Sequence, residues 1–337
     1  MNHLISSKEL EKEDVLELLA SAKGFLPVVT ERRKLNIAEG KILATLFYEP
    51  STRTRFSFET AMIRLGGSTI SNFQMDTASS AKKGETLFDT GRVVSKMADI
   101  IAMRHYKEGS VGELAKGSTV PVINAGDGIS DHPTQGLLDL FTIQEEIGRL
   151  ENFEIAMVGD LKNSRVLHSQ CALLAHFPGV KFVFVSPKGL EMPYQITAPL
   201  RAKGYNVTEI ERLEEAITTC DVFSHTRIQE ERFDSKEEYL KYKSVYVATP
   251  ELMVKAKKDM ILIHPLPRVD EIDSLVDNDP RAKYFDQVTY GVAMRMAILS
   301  KLLKLGKSFL NTQQSYHPEI KKKWTFLWKM GKLWNLL

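Results

Sequence analysis

Lys41-Ile42-Leu43-Ala44-Thr45-Leu46-Phe47-Tyr48-Glu49-Pro50-Ser51-Thr52-Arg53-Thr54-Arg55 joins a strand to a helix across a turn of unusual chemistry. Its first half is an apolar run of strand length, and the residues that follow place Phe56, Phe58, Ala61, Met62 and Leu65 at helical spacing. Pro50 disfavours helical geometry at Glu49, and Ser51 is a preferred N-cap, so the open N–H groups of the first turn begin near Thr52. Those donors and the positive end of the helix dipole favour a bound anion. Arg53, in that first turn, can offer its planar fork to two oxygens of such a ligand. Arg55 follows about 200° further round the helix, which turns it away toward a structural ion pair. A capped helix with a solvated basic first turn would give the same string, and the rest of the chain weighs against that reading.

The same grammar of apolar run, polar loop and helical pattern recurs. Ile100-Ile101-Ala102-Met103 ends at Arg104-His105, and Val120-Pro121-Val122-Ile123-Asn124-Ala125 leads to Asp131-His132-Pro133-Thr134-Gln135 and a helix over 137–147. Glu154-Ile155-Ala156-Met157-Val158 runs into Gly159-Asp160-Leu161-Lys162-Asn163-Ser164-Arg165, and Asp221-Val222-Phe223 into His225-Thr226-Arg227-Ile228-Gln229. Met260-Ile261-Leu262-Ile263 precedes His264-Pro265-Leu266-Pro267-Arg268. Strands alternating with helices predict an α/β fold of two domains, each a parallel sheet flanked by helices, joined by the helix over 137–147. The final pattern, 292–305, is expected to pack back on the first domain. In such sheets the loops after strand ends share one edge, where ligands bind. Arg53, Arg104, His132, Arg165, Arg227 and Arg268 all fall there. That is more cation than one phosphate needs.

Length and composition narrow the class. The chain has 337 residues, enough for two domains, with 43% hydrophobic content and a formal charge of +2. So small a net charge argues against a nucleic-acid-binding surface over the whole molecule. Cys171 and Cys220 lack metal-ligand spacing, which argues against a structural zinc or a disulfide framework and for a reducing compartment. The charged start, from Lys8 to Asp14, has no signal-peptide core, and no apolar run reaches the length of a membrane span. The cytoplasm is the expected location.

Seven motifs in order carry a resemblance: Phe47 to Arg55, Lys82-Lys83-Gly84-Glu85-Thr86, Met103-Arg104-His105, His132-Pro133-Thr134-Gln135, Gly159-Asp160-Leu161-Lys162, Thr226-Arg227-Ile228-Gln229 and His264-Pro265-Leu266-Pro267-Arg268. Together the chain resembles the catalytic chains of aspartate carbamoyltransferases from about residue 2 to residue 306. Ornithine carbamoyltransferases share the first and fourth strings. They typically carry Cys where Pro265 stands, and their Ser-Met-Gly signature is absent from this chain. The resemblance implies transfer of a carbamoyl group from carbamoyl phosphate to L-aspartate in pyrimidine biosynthesis, with no metal or other cofactor. It implies a carbamoyl-phosphate domain over 1–133 and 288–311, an aspartate domain over 134–287, and an extension over 312–337.

The same resemblance places Ser51, Thr52, Arg53 and Thr54 on the phosphate and Thr54, Arg104 and His132 around the carbamoyl oxygen. Gln135 and the Leu266 carbonyl would take the carbamoyl nitrogen, and Arg165, Arg227 and Gln229 the carboxylates of aspartate. Donors fixed at the oxygen suit a reaction that builds negative charge there, each worth roughly 3 to 4 kcal/mol in well-studied oxyanion holes. Ser79 and Lys83 match residues that the family supplies from a neighbouring subunit, which implies a homotrimer with shared active sites; Lys83 would also bear on aspartate binding and catalysis. Glu49, Arg165 and Arg232 match contacts of domain closure. His264 reads as structural. Regulatory chains or a dihydroorotase are partners that the sequence leaves open.

The extension departs from the family pattern. It holds all three tryptophans, and Trp324, Leu327, Trp328 and Gly331 share a helical face while Lys322, Lys329 and Lys332 spread round the others. Docking on the chain's own trimer or a partner protein ranks first among its readings, a poorly ordered tail second, and membrane-surface contact last.

Overall fold

The computed structural model describes residues 1–73, 84–230, 233–243 and 245–305. After helix α1 (Lys12–Thr30) the chain forms β1 (Ile42–Phe47), α2 (Thr52–Leu65), β2 (Ser68–Phe73), α3 (Leu87–Val94), β3 (Ile100–His105), α4 (Ser110–Gly117) and β4 (Val122–Asp127). Helix α5 (Pro133–Ile147) leads into β5 (Glu154–Val158), α6 (Arg165–Leu174), β6 (Lys181–Val185), α7 (Tyr194–Ala202) and β7 (Asn206–Ile210). Then come α8 (Leu213–Ile217), β8 (Val222–His225), α9 (Lys236–Tyr242), α10 (Pro250–Val254), β9 (Ile261–Ile263) and α11 (Asp286–Leu302). The strands form two parallel sheets, ordered β2-β1-β3-β4 and β7-β6-β5-β8-β9.

Parallel sheets are covered on both faces, so their strands are nearly continuous apolar runs. Every residue of β4 and β8 is buried, and in β3 only Arg104 reaches partial exposure. Register then fixes which strand ends meet. Phe47 pairs with Arg104, the Tyr48 N–H donates to the Arg104 carbonyl at 2.9 Å, and the turn after β1 therefore lies beside the end of β3. In the second sheet Val158 stands opposite His225, and the Thr226 N–H donates to the Val158 carbonyl at 2.8 Å. Gly159, at φ +121°, makes this junction possible: a Cβ there would lie 2.1 Å from the Thr226 carbonyl oxygen.

Two helices bind the sheets together. Helix α5 packs against α6, and at Gly136 the approach is so close that a Cβ would lie 2.8 Å from Leu173 Cδ1. Helix α11 packs against α1, α2 and α5, so the final pattern does return to the N-terminal unit. It begins at Asp286, six residues before the apolar stripe, with Asp286 in its first turn and Gln287 already buried. Likewise α5 starts at Pro133 rather than Leu137; proline needs no N–H at a first helical position, so the His-Pro-Thr-Gln string is itself the helix start. One hydrophobic cluster runs from Phe25 and Phe58 through Phe141 and Ile298 to Leu173 and Phe184, spanning both sheets. Smaller clusters cover the outer faces of each. Among the described residues no helix is long and apolar enough to cross a membrane. The extension 312–337 lies outside the described residues.

Candidate active site between the two sheets

The C-terminal strand ends of both sheets face a shared cleft of about 420 Å³. Its walls carry Ser51 to Thr54 and Glu49 from the β1–α2 turn, Arg104 from β3, His132 and Gln135 from the start of α5, and Arg165 from the start of α6. Thr226, Arg227, Gln229 and Leu266 complete it from the loops after β8 and β9. Ser79, Lys83 and Arg232 lie outside the described residues.

Ser51 occupies the N-cap position of α2 in extended conformation, yet its hydroxyl caps no N–H group of the first turn. Hydroxyl and N–H groups alike are thus left for a ligand at the positive end of the helix. Thr54 is buried one turn in, at 7% exposure. Arg55 turns aside to Glu59, 3.5 Å away at i,i+4 spacing.

Positive charge dominates the cleft. Burial, then the Arg165 charge, pulls the Arg104 guanidinium down to about 9. Burial and the facing charge of Arg227 also lower Arg53. Among the described residues lining the cleft, Glu49 is the one carboxylate, and its Oε2 bridges Arg104 at 2.9 Å and Arg165 at 3.1 Å. Arg165 also donates to the Gly128 carbonyl, so this α6 side chain clasps two loops of the first sheet. Five guanidinium groups line a cleft with one lining carboxylate, an arrangement that suits a polyanionic ligand.

His132 sits at the N-cap of α5, its N–H donating to Ser169 Oγ at 2.9 Å. Ser169 in turn donates to Asp131, which also takes the Ser6 hydroxyl and the Ser7 N–H, each at 2.7 Å. The loop is thereby held to both the N-terminal segment and α6. Complete burial, followed by the charges of Arg165, Arg104 and Arg295, pushes the His132 pKa well below its ordinary value. The ring is neutral at physiological pH and carries one N–H.

The turn after β9 is strained at Leu266, whose φ is +54°, and the Leu266–Pro267 peptide is cis. Leu266 N–H donates to His264 Nδ1 at 2.9 Å, which leaves the ring proton on Nε2, 2.9 Å from Glu271 Oε1. Glu271 accepts from the N–H groups of Val269 and Asp270 as well, at 3.0 and 3.1 Å. Burial opposes its charge, but His264, followed by the Val269 N–H and its own, brings the carboxyl down to about 2. On the neighbouring loop Gln229 donates to the Asn163 carbonyl at 3.1 Å, and Asn163 is held by Asp160.

One of the six cationic strand ends does not join the cleft. Arg268 forms a bidentate pair with Asp277 and lies over the Tyr284 and Phe285 rings, partners that follow it in sequence by nine, sixteen and seventeen residues. Conversely, the cleft contains a cation that motif reading overlooked. Arg295 is 3% exposed, donates to the Gly291 carbonyl at 3.1 Å and lies over the Phe58 ring. Its signal was present: a lone charge inside Val292-Ala293-Met294-Arg295-Met296-Ala297-Ile298. Also overlooked was Asp139, a buried carboxylate behind Gln135 that burial pushes up to about 7 against the pull of three amide donors. Among the described residues, no group of three His, Cys, Asp or Glu side chains could hold a metal ion.

Comparison with known proteins gives the same picture. Residues 2–145 match the family model described as the aspartate/ornithine carbamoyltransferase carbamoyl-P binding domain, and residues 151–302 the Asp/Orn binding domain of the same family. The aspartate carbamoyltransferase catalytic subunit of Methanocaldococcus jannaschii is 51% identical over 304 residues, covering 90% of this chain and 98% of that one. Its crystal structure superposes with a TM-score of 0.84. The subunit of the same name from Archaeoglobus fulgidus is 51% identical, covering 90% and 99%. Trypanosoma cruzi aspartate transcarbamoylase, solved with carbamoyl phosphate and aspartate, is 39% identical with a TM-score of 0.83, covering 88% of this chain and 95% of that one.

Proposed function

Because the chain belongs to the aspartate/ornithine carbamoyltransferase family, we infer that its cleft carries the carbamoyl group of carbamoyl phosphate to the amine of L-aspartate. The products are N-carbamoyl-L-aspartate and phosphate, and the setting is pyrimidine synthesis in the cytoplasm. The observation that carries this reading beyond kinship is the electrostatic one: Arg53, Arg104, Arg165 and Arg227 around a lone Glu49 suit two anionic substrates at once.

In this reading the phosphate rests on the open start of α2, held by Ser51, Thr52, Arg53 and Thr54. Thr54, Arg104 and the neutral His132 donate toward the carbamoyl oxygen. Gln135 and the Leu266 carbonyl accept from the carbamoyl NH2. Arg165, Arg227 and Gln229 take the two carboxylates of aspartate. As the amine attacks, a C–N bond forms and negative charge gathers on the carbonyl oxygen, where fixed donors act most strongly. The C–O bond to phosphate then breaks. The leaving phosphate accepts the amine proton, because Glu49 is committed to Arg104 and Arg165 and the His132 ring, its pKa pushed well below the ordinary value, is a poor base. Ser79 and Lys83 of a neighbouring copy would complete the site, which makes a homotrimer the working assembly. Residues 1–133 and 288–311 make up the carbamoyl-phosphate domain and residues 134–287 the aspartate domain, from which Gln135 and Leu266 reach the carbamoyl NH2.

The deciding experiment supplies carbamoyl phosphate with either L-aspartate or L-ornithine and measures the ureido product colorimetrically. Product from aspartate alone is expected. Product from ornithine, or none from either, would overturn the assignment. A solvent isotope and pH analysis revealing an essential protein base near the amine would refute the phosphate as proton acceptor.

A further inference from the structure

Asp139 stands one turn beyond Gln135 on α5, 1% exposed, at the point where α5, α6 and α11 meet. Three glutamine amides, one from each helix, donate to its carboxylate. Gln135 Nε2 and Gln287 Nε2 reach Oδ1 at 2.9 and 2.8 Å, and Gln170 Nε2 reaches Oδ2 at 2.6 Å. An ionised carboxylate accepts hydrogen bonds and donates none, so each amide must turn its nitrogen inward and its oxygen outward. Each outward oxygen then has a defined role. Gln170 Oε1 accepts from Ser224 Oγ at 2.9 Å, and Gln287 Oε1 accepts from the His264 N–H at 2.8 Å. Gln135 lines the cleft, where its oxygen is the end left for a donor.

We propose that Asp139 is the positioning residue that lets the site recognise the NH2 group of carbamoyl phosphate. This rests on the function inferred above. One carboxylate orients both acceptors for that NH2: the Gln135 oxygen directly, and the Leu266 carbonyl through Gln287 and the His264 N–H. A phosphate ester or anhydride without an NH2 group gains nothing from either acceptor. Asp139 therefore contributes to the choice between carbamoyl phosphate and its methyl counterpart, acetyl phosphate, without touching the ligand.

The test compares dissociation constants of carbamoyl phosphate and acetyl phosphate for the wild type and Asp139→Leu, at about pH 8, above the Asp139 titration. Asp139→Leu is expected to weaken carbamoyl phosphate by at least about 10-fold, the cost of misaligned acceptors, while acetyl phosphate shifts by less than about 2-fold. Equal weakening of both ligands would show a merely structural role, and no weakening would show none; either overturns the proposal. Should Asp139→Leu fail to fold, Gln287→Met decides by the same pair of constants. That variant leaves the carboxylate in place with its Gln135 and Gln170 donors and severs its link to His264, so a loss confined to carbamoyl phosphate of about 3-fold or more is expected. Wild-type protein that makes no carbamoyl aspartate would instead refute the underlying function.

Discussion

Two of the turns that line the cleft are built in opposite ways. The β1–α2 turn is local: an extended Ser51, a helix start and Arg53 lie within three residues, and the backbone itself supplies donors. The turn after β9 is supported from a distance. Its Leu266 conformation depends on His264, on Glu271 five residues ahead, and on Gln287 and Asp139 from two other helices. A turn of the first kind can lose a side chain and keep its shape. One of the second kind should lose shape and function together.

The sharpest break of this contrast would come from Arg104, whose guanidinium stands beside the local turn and pairs with Glu49. Arg104→Ala is expected to cut kcat by about 100- to 1000-fold, as removal of an oxyanion donor does, with the thermal midpoint little changed. A midpoint drop as severe as the kinetic loss would place Arg104 among the structural supports instead.

Glu271→Gln probes the distant supports. It should cost about 1–3 kcal/mol of unfolding free energy near neutral pH, the range for a buried hydrogen-bonding group deprived of its partner, and raise KM for carbamoyl phosphate as well. The pH dependence has a definite sign. Because the folded carboxyl is lowered to about 2, its contribution is present above the ordinary glutamate range and is lost as pH falls through about 2. Denaturation curves of the variant and wild type should converge on acidification, and a constant gap would contradict the His264 pairing.

Glu49→Gln loosens the clasp of Arg165 on the first sheet. We expect KM for aspartate to rise by about 10-fold with carbamoyl phosphate affinity held within about 2-fold, the order of magnitude for one charged hydrogen-bond partner. Ligand titration by calorimetry separates the two. The smallest effect belongs to Ser51→Ala. Since its hydroxyl caps nothing, stability should change by less than about 0.5 kcal/mol, whereas Thr86→Ala, which removes a hydroxyl accepting from the Asp89 N–H, should cost about 1 kcal/mol. Equal losses at both positions would erase the distinction between a ligand hydroxyl and a cap.

What was legible in the chain follows the same division. The β1–α2 strand-turn-helix, the parallel α/β fold and the turning of Arg55 into an ion pair depend on spacing within a few residues, and spacing is what a sequence displays. Arg268 was misplaced among the cleft cations because its partner, Asp277, lies beyond the next turn in an acidic loop that nothing local marks. Asp139 was missed because an aspartate in an apolar helix declares only that it must be satisfied, not by whom; its three amides come from positions 135, 170 and 287. Arg295 stood out as a lone charge, but its place at the cleft depends on a helix crossing.

The return of α11 onto α1 bears on how the molecule is made. The surface that α1 and α2 present to Asp286–Leu302 has no cover until the last of those residues has left the ribosome. At roughly 5–20 residues per second, that is on the order of 15–60 s after α1 is made. Throughout that interval the N-terminal half is a sheet with an open greasy flank, a natural client for holding chaperones. Premature termination before residue 286 would leave such a chain permanently unfinished, however complete its β1–α2 turn.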